Sequence, residues 1–341
     1  MKRIFAWILA MTFTFMAAGC AKAEVSQVEE KPEYPTKQIT MVIPWAAGGG
    51  TDITGRVFAA ALERQLGQKV IVVNKPGASG ATGTEYVASQ AADGYTLLFS
   101  ADTIATLQCM GVSTLSVDDF MPLMMVSDDP KILTVAGNSK YETMSDLVED
   151  AKARPGKLNM AYSAPGASGH IQGLLMKKAG LVFNMTPLGG GTAQMLSVIS
   201  GQSDVTNPSG STVTDYLKTG ELRNLAVFAD SEIKGYEGVE PITATVPELK
   251  DYMPITFPVS IHVKAGTDTK VYDVLLKACQ EAAKDEQWKK FVEEGKLDDL
   301  TDIQGQDAAA YIKRLTSISS WLLYDEGVAT KNPADFNIPR Q

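Results

Sequence analysis

The chain of 341 residues holds only three cysteines and two histidines. Two histidines exclude a His-rich metal centre, and the cysteines lack the spacing of a metal motif. Outside the first twenty residues only Cys109 and Cys279 remain. Two cysteines do not make a disulfide scaffold, and the sequence leaves open whether they pair or stay as buried thiols. Positive charge is also scarce. Lys and Arg number 31 against 40 Asp and Glu, a formal −9 with a pI near 4.9. That balance argues against nucleic acid as a partner. It does not exclude an anionic ligand, because local dipoles can act against net charge. Low-complexity segments and short repeats are absent.

Long apolar runs are equally rare. One stretch, residues 4–18, follows the basic pair Lys2 and Arg3 and has the length of a signal-peptide core, too short for a good spanning helix. The small residues Ala17, Ala18 and Gly19 precede Cys20. This is the form of a bacterial lipoprotein signal, in which the Cys20 thiol takes a diacylglycerol group and becomes the mature N-terminus; an ordinary secretory signal with Cys20 there by chance is the competing reading. The expected organisation is a signal over residues 1–20 and a flexible, polar tether over 21–33. Cleavage takes the formal charge from −9 to −11, and the mature protein lies outside the cytoplasm, periplasmic or at the cell surface.

The mature length allows two ordinary domains. Residues 38–44 read as a strand. A helix follows with Asp52 as its expected N-cap and Ile53, Val57, Phe58, Ala61, Leu62 and Leu66 on one face. Gly67 stops it. Strands at 70–74 and 95–100 flank a helix containing Tyr86, Val87 and Ala88, giving β-α-β-α-β with parallel pairing as the default. The pattern restarts near 132: strand, helix 144–153, strand 158–163, helix to about 178, strand 183–188, and a helix over 193–200. Strands at 204–207 and 225–229 complete this unit. A strand at 255–263 returns the chain to the first unit, and the tail is helical over 268–284, 286–294 and 306–325, with Asp307 as N-cap. Two α/β halves with a late return imply two lobes joined by two crossings, with a ligand at the carboxyl ends of the strands.

Three glycine-bearing turns are the candidate site. The first comprises Trp45, Ala46, Ala47, Gly48, Gly49, Gly50, Thr51 and Asp52. It lacks the Gly-Lys-Ser/Thr ending of a phosphate loop. It also fails G-x-G-x-x-G, since Ile53 stands three beyond Gly50. A strand, three glycines and a helix start aim backbone N–H groups at one point, where an anion binds without lysine or arginine. A plain structural turn is the competing reading. The second turn holds Ser163, Gly166, Ala167, Ser168 and His170. A hydrolase using Ser168 and His170 is conceivable, but the G-x-S-x-G elbow is absent and two residues so close in one loop are poorly placed as nucleophile and base. The third turn runs over Gly189, Gly190 and Gly191, with a simple loop as the competing reading, and Asp204 is either a strand-edge cap or a cleft residue.

Four stretches, YPTKQITMVIPWAAGGGTDITGR, NKPGASGATGTEYVASQAADGYTLL, AKARPGKLNMAYSAPGASGHI and ISGQSDVT, resemble the solute-binding proteins of tripartite tricarboxylate transporters, also called Bug proteins. The likeness spans about residues 34–330. It implies an α/β fold of the two-lobed periplasmic-binding-protein kind (Venus flytrap, type II). The expected lobes are 34–134 plus 258–341, and 135–257. It implies a small carboxylate, whether di- or tricarboxylate, aromatic acid or acidic amino acid, gripped by amides and hydroxyls of the first two turns, with residues 188–192 and Asp204 as further cleft elements. Ser100 and Asp102 fall where the family often touches ligand. No catalysis, cofactor or metal is implied. The partners implied are membrane permease subunits, and the receptor acts as a monomer; a sensor for a signalling partner is the alternative. The chain departs from the family at Pro187 and Leu188, where an aromatic residue and a lysine are usual. It departs again at Ala167, where a hydroxyl is usual, and at the bulky Trp45. Asp102 is a further oddity, because a carboxylate there repels an anionic ligand unless it faces an amine or lies outside the cleft.

Overall fold

The computed structural model describes residues 34–253, 256 and 258–340. The signal segment, Cys20 and the tether lie outside the described residues. Residues Tyr34–Gln341 form one compact unit, and no helix among the described residues is long and apolar enough to cross a membrane.

The first α/β unit runs β1 (Ile39–Ile43), α1 (Gly50–Leu66), β2 (Val70–Asn74), α2 (Ala81–Ser89) and β3 (Thr96–Ser100). β1 pairs in parallel with β2 and β3, as expected for right-handed crossovers. A strand that the sequence pattern did not suggest, β4 (Phe120–Asp128), follows. The chain then changes sheet across residues 129–131. The second unit runs β5 (Ile132–Ala136), α3 (Met144–Ala153), β6 (Asn159–Tyr162), α4 (Ser168–Lys178) and β7 (Asn184–Pro187). It continues through α5 (Gly191–Ile199), β8 (Val205–Thr206), α6 (Gly210–Lys218), β9 (Leu222–Val227) and the single turn α7 (Ile242–Thr245). The return comprises β10 (Pro258–Lys264), α8 (Thr269–Ala282), α9 (Glu286–Gly295), β11 (Asp298–Asp299) and α10 (Gly305–Asp325).

Two sheets result, ordered β11-β4-β10-β3-β1-β2 and β7-β6-β8-β5-β9. Both are mixed. β10 is antiparallel to β3 and β4, and β5 is antiparallel to β8 and β9. β5 belongs wholly to the second sheet, so the expected boundary at residue 134 falls within a strand.

Burial on both faces explains the near-continuous apolar strands. Met41, Ile43, Leu97 and Phe99 pack with Phe58 and Trp288 on one side of the first sheet. Val42 and Leu98 pack with Val87, Met125 and Ile312 on the other. Phe58, Ala61 and Leu62 of α1 are buried as expected, whereas Ile53 is exposed. The second sheet has its own core around Leu133, Met160, Leu175 and Leu225, and the end of α10 joins it through Leu322 and Leu323. Cys109 and Cys279 are both buried, free thiols, in different cores.

Candidate ligand-binding cleft

The first glycine turn leaves β1 at Pro44 and enters α1 at Gly50. Its N-cap is Gly49, which supplies no side-chain acceptor. The helix therefore starts three residues before the expected point, and Asp52 is its third residue rather than its cap. Asp52 reaches back instead. Its carboxylate accepts the Gly48 N–H at 2.8 Å, Arg56 Nε at 3.0 Å and Asn74 Nδ2 at 2.8 Å. Burial acts to raise its pKa, but the hydrogen bonds from Arg56, Gly48 and Asn74 outweigh burial and hold it below the ordinary carboxylate range. Both Asp52 oxygens are thus engaged within their own lobe. They brace a turn in which Gly48 adopts φ +79, a conformation costly for any residue with a Cβ.

A cavity of about 450 Å³, its open mouth included, lies against this turn. Trp45, Ala46, Gly49, Gly50 and Thr51 line it from the first lobe. Ser163, Gly189, Gly190, Gly191, Gln194, Ser209 and Thr212 line it from the second, and Lys131 from the crossing between sheets. Three helices begin at its wall. α1 follows Gly49, α5 follows Gly190 and α6 follows Ser209, and none has a side-chain cap. Each helix start carries about half a positive charge, and at α6 the Gly210 and Ser211 N–H groups are already taken by Pro130 O and Asp129 Oδ1. Two further polar groups, Trp45 Nε1 and Ser163 Oγ, are buried without a hydrogen-bond partner among the described residues. The wall is therefore rich in donors.

Lys131 is buried, and its Nζ donates to Ser209 Oγ at 3.1 Å. Burial lowers its pKa, while the charges of Asp102, Asp129 and Asp128 oppose that shift. Asp129 accepts the Ser211 N–H at 3.1 Å and the Ser211 hydroxyl. Burial raises its pKa against those hydrogen bonds and Lys131. Sequence reasoning missed Lys131, Asp129, Gln194, Ser209 and Thr212. The signal for the last two was present: residues 207–212, NPSGST, repeat the strand, small-residue turn and helix device of the other turns.

The second turn is only partly in the cleft. Ser163 lines the cavity, but the rest of the turn is engaged elsewhere. Gly166 takes φ +80, and its N–H donates to His170 Nδ1 at 3.1 Å. The His170 ring stacks on Tyr162 with centroids 4.8 Å apart. That nitrogen is held by its own backbone, so it does not serve as a base for Ser168. Ala167 is the buried N-cap of α4, and the Ser168 N–H donates to Asp102 Oδ2 across the two lobes. Ser100, at the end of β3, donates its hydroxyl to Ala101 O and is buried away from the cavity wall. Ala47 and Gly48 sit on the exposed side of the first turn.

Asp204 departs furthest from expectation. It accepts the Asn159 N–H at 2.7 Å, at the amino ends of β8 and β6. β6 and β8 are parallel, and the cleft lies at their carboxyl ends, where Ser163 follows β6. A strand length separates Asp204 from the cavity, on the order of 10 Å for a four-residue strand. It is a strand-edge cap. Among the described residues no cluster of three or more metal-ligating side chains occurs.

The profile of the "Tripartite tricarboxylate transporter family receptor" matches residues 54–322 of this chain. Protein BugT of Bordetella pertussis is 31% identical over 285 residues, covering 81% of this chain and 84% of BugT. A structure of R. palustris Rpa4515 with adipate superposes with a TM-score of 0.80 at 24% identity, covering 87% of this chain and 99% of that one. MatC from Rhodopseudomonas palustris with bound malate gives 0.77 at 19% identity, covering 85% and 100%. These two structural likenesses bear on the fold.

Proposed function

Because the chain belongs to the tripartite tricarboxylate transporter family of receptors, we propose that it captures a small carboxylate between its two lobes and hands it to membrane permease subunits. The observation that carries this reading is the convergence of two uncapped helix starts, that of α1 from the first lobe and that of α5 from the second, on one cavity. A carboxylate there accepts charge-assisted hydrogen bonds from main-chain N–H groups, each contributing about 1.5–3 kcal/mol net. Gly49, Gly50, Gly189, Gly190 and Gly191 let the ligand approach the backbone closely. Contact with both lobes at once favours the closed form, because only such differential contact shifts the equilibrium. Adipate and malate bound to two proteins of the same fold support the ligand class. The wall groups have donor chemistry suited to holding an acid unchanged, so the reading is capture without turnover.

A thermal-shift series with mono-, di- and tricarboxylates and acidic amino acids tests it. A hundredfold excess over Kd is expected to raise Tm by about 5 °C. If no acid stabilises the protein at millimolar concentration, the reading is wrong.

The proposed working unit is a lipid-anchored, extracytoplasmic monomer. The lobes are 34–134 plus 258–341, and 135–257, to within a strand. Membership of the two sheets supports this division, although the end of α10 packs into the second core. The anchor reading rests on Cys20 after its small-residue run. Cys20→Ala is expected to move the protein from the membrane fraction to the soluble one. Unchanged retention on membranes would exclude the anchor.

A further inference from the structure

Asp102 does not line the cavity itself but lies close enough to Lys131, on its wall, for the two charges to act on each other. It leaves β3 of the first lobe in a short 3-10 turn, Asp102–Ala105, and meets the start of α4 in the second. There its Oδ2 accepts the Ser168 N–H. α4 has no side-chain cap from its own segment, so Asp102 supplies an acceptor at that helix's positive end. Thr106, just beyond the same turn, donates its hydroxyl to Gly166 O at 3.0 Å and ties the two segments together. Asp102 is 5% exposed, and its Oδ1 has no hydrogen-bond partner among the described residues. Burial raises its pKa, while Lys131 on the cavity wall and the Ser168 N–H act to keep it charged.

We infer that Asp102 is a resident carboxylate that sets how many carboxylates the ligand carries. It fills the anion position at the start of α4 from within the chain, so the cavity takes acids with one carboxylate in preference to dicarboxylates of equal length. The inference rests on the carboxylate reading above and adds the residue that decides its selectivity. Of the four helix starts near the cleft, those of α1 and α5 line the cavity without an acid of the chain upon them, that of α6 is met by Asp129 and that of α4 by Asp102. Lys131 is the one cationic side chain among the lining residues, and Asp102, Asp128 and Asp129 already act on it. A first ligand carboxylate is met by the free helix starts. A second adds negative charge to a buried group in which acids already outnumber bases, with no further cation to receive it.

Calorimetric titration with matched pairs at pH 7.5 tests this: butanoate against butanedioate, pentanoate against pentanedioate, hexanoate against hexanedioate. The wild type is expected to bind the single acid of the best-fitting length at least tenfold tighter than its dicarboxylate. Asp102→Asn keeps the shape and a carbonyl for the Ser168 N–H but removes the charge. It should move the ratio at least tenfold toward the dicarboxylate. If that variant does not fold, Asp102→Ser opens the same position to a ligand oxygen and reads the same ratio. A ratio that stays put in a folded variant, or a wild type that prefers dicarboxylates, overturns the inference while leaving carboxylate capture standing. If neither class of acid binds the wild type or a folded variant, the carboxylate reading falls and this inference falls with it.

Discussion

Gly50→Val should weaken capture of a small carboxylate by roughly 5- to 150-fold, the equivalent of about 1–3 kcal/mol of overpacking. Gly50 is the first residue of α1 and lines the cavity. A Cβ there would stand 3.3 Å from Asp129 Oδ2, 3.3 Å from Ser209 Oγ and 3.4 Å from Ser209 Cβ. One methyl group is tight. The two further methyls of valine have no room while the first lobe's helix faces the crossing segment and the start of α6. The backbone is not the obstacle, since Gly50 lies outside the left-handed region. The clash is between lobes rather than within one core, so parting the lobes relieves it and folding is largely spared. The expected signature is a much higher Kd with a Tm, measured without ligand, within a few degrees of wild type. Gly50→Ala should give a smaller loss of the same sign. Wild-type affinity in Gly50→Val would mean that this face of α1 does not close on the ligand.

The parts of the fold that were legible in the sequence are those where one local pattern leaves one solution. β1, β2, β3 and the helices between them follow from apolar runs buried on two faces and punctuated by glycine, and Gly67 ends α1 at φ +62 as a left-handed stop. Helix starts were misplaced in a consistent way. Asp52 and Asp307 both read as N-caps, yet the caps are Gly49 and Gln304 and both acids occupy the third helical position. An acid at either place sits near the same positive end, so composition alone cannot separate them. β4 escaped because FMPLMMVSD contains Pro122 and has no period-two alternation, and its pairing partner β10 lies over a hundred residues away. α6, GSTVTDYLK, escaped because only Gly210 and Val213 are buried. Within the cleft, the turns at Gly49–Gly50 and Gly189–Gly190 were legible as backbone devices. Lys131 was not, since a lone lysine after a proline carries no local signal and gains its meaning from Ser209 and the acids brought to it by the fold. The oddity of Asp102 was visible in the sequence. Its resolution, a helix start from the opposite lobe, is a tertiary fact.

Acidification from about pH 6.5 to about pH 4 should destabilise the protein through its two histidines. Burial drives His170 down to about 4 and His262 down to about 3, against an ordinary value near 6.5. Both pKa values are depressed on folding. Their stabilising contribution is therefore present above the unfolded value and is lost as pH falls through the window toward the folded value, where the unfolded chain binds protons that the native state refuses. The shifts correspond to roughly 3 kcal/mol for His170 and roughly 5 kcal/mol for His262 when the window is fully crossed. The two rings fail differently. His170 accepts the Gly166 N–H, so its proton breaks the bond that shapes the turn before α4. His262 Nε2 lies 2.7 Å from Ser260 Oγ, and its Nδ1 is buried without a partner among the described residues, so its proton puts a charge into the core of the first sheet. Asp102 and Asp129 work in the opposite sense: burial raises their folded pKa, so stability from them is present at low pH and lost as pH rises through the raised values. They oppose the histidine slope from the ordinary carboxylate value up to their raised values. Urea unfolding at pH 7.5, 6.5, 5.5 and 4.5 should show a midpoint falling most steeply between pH 6 and 4.5, with a slope approaching two protons. His262→Gln should reduce that slope by about one proton, because one of the two groups that separate the folded and unfolded proton counts is gone. A pH-independent midpoint across this range would mean that neither ring is held neutral by its surroundings.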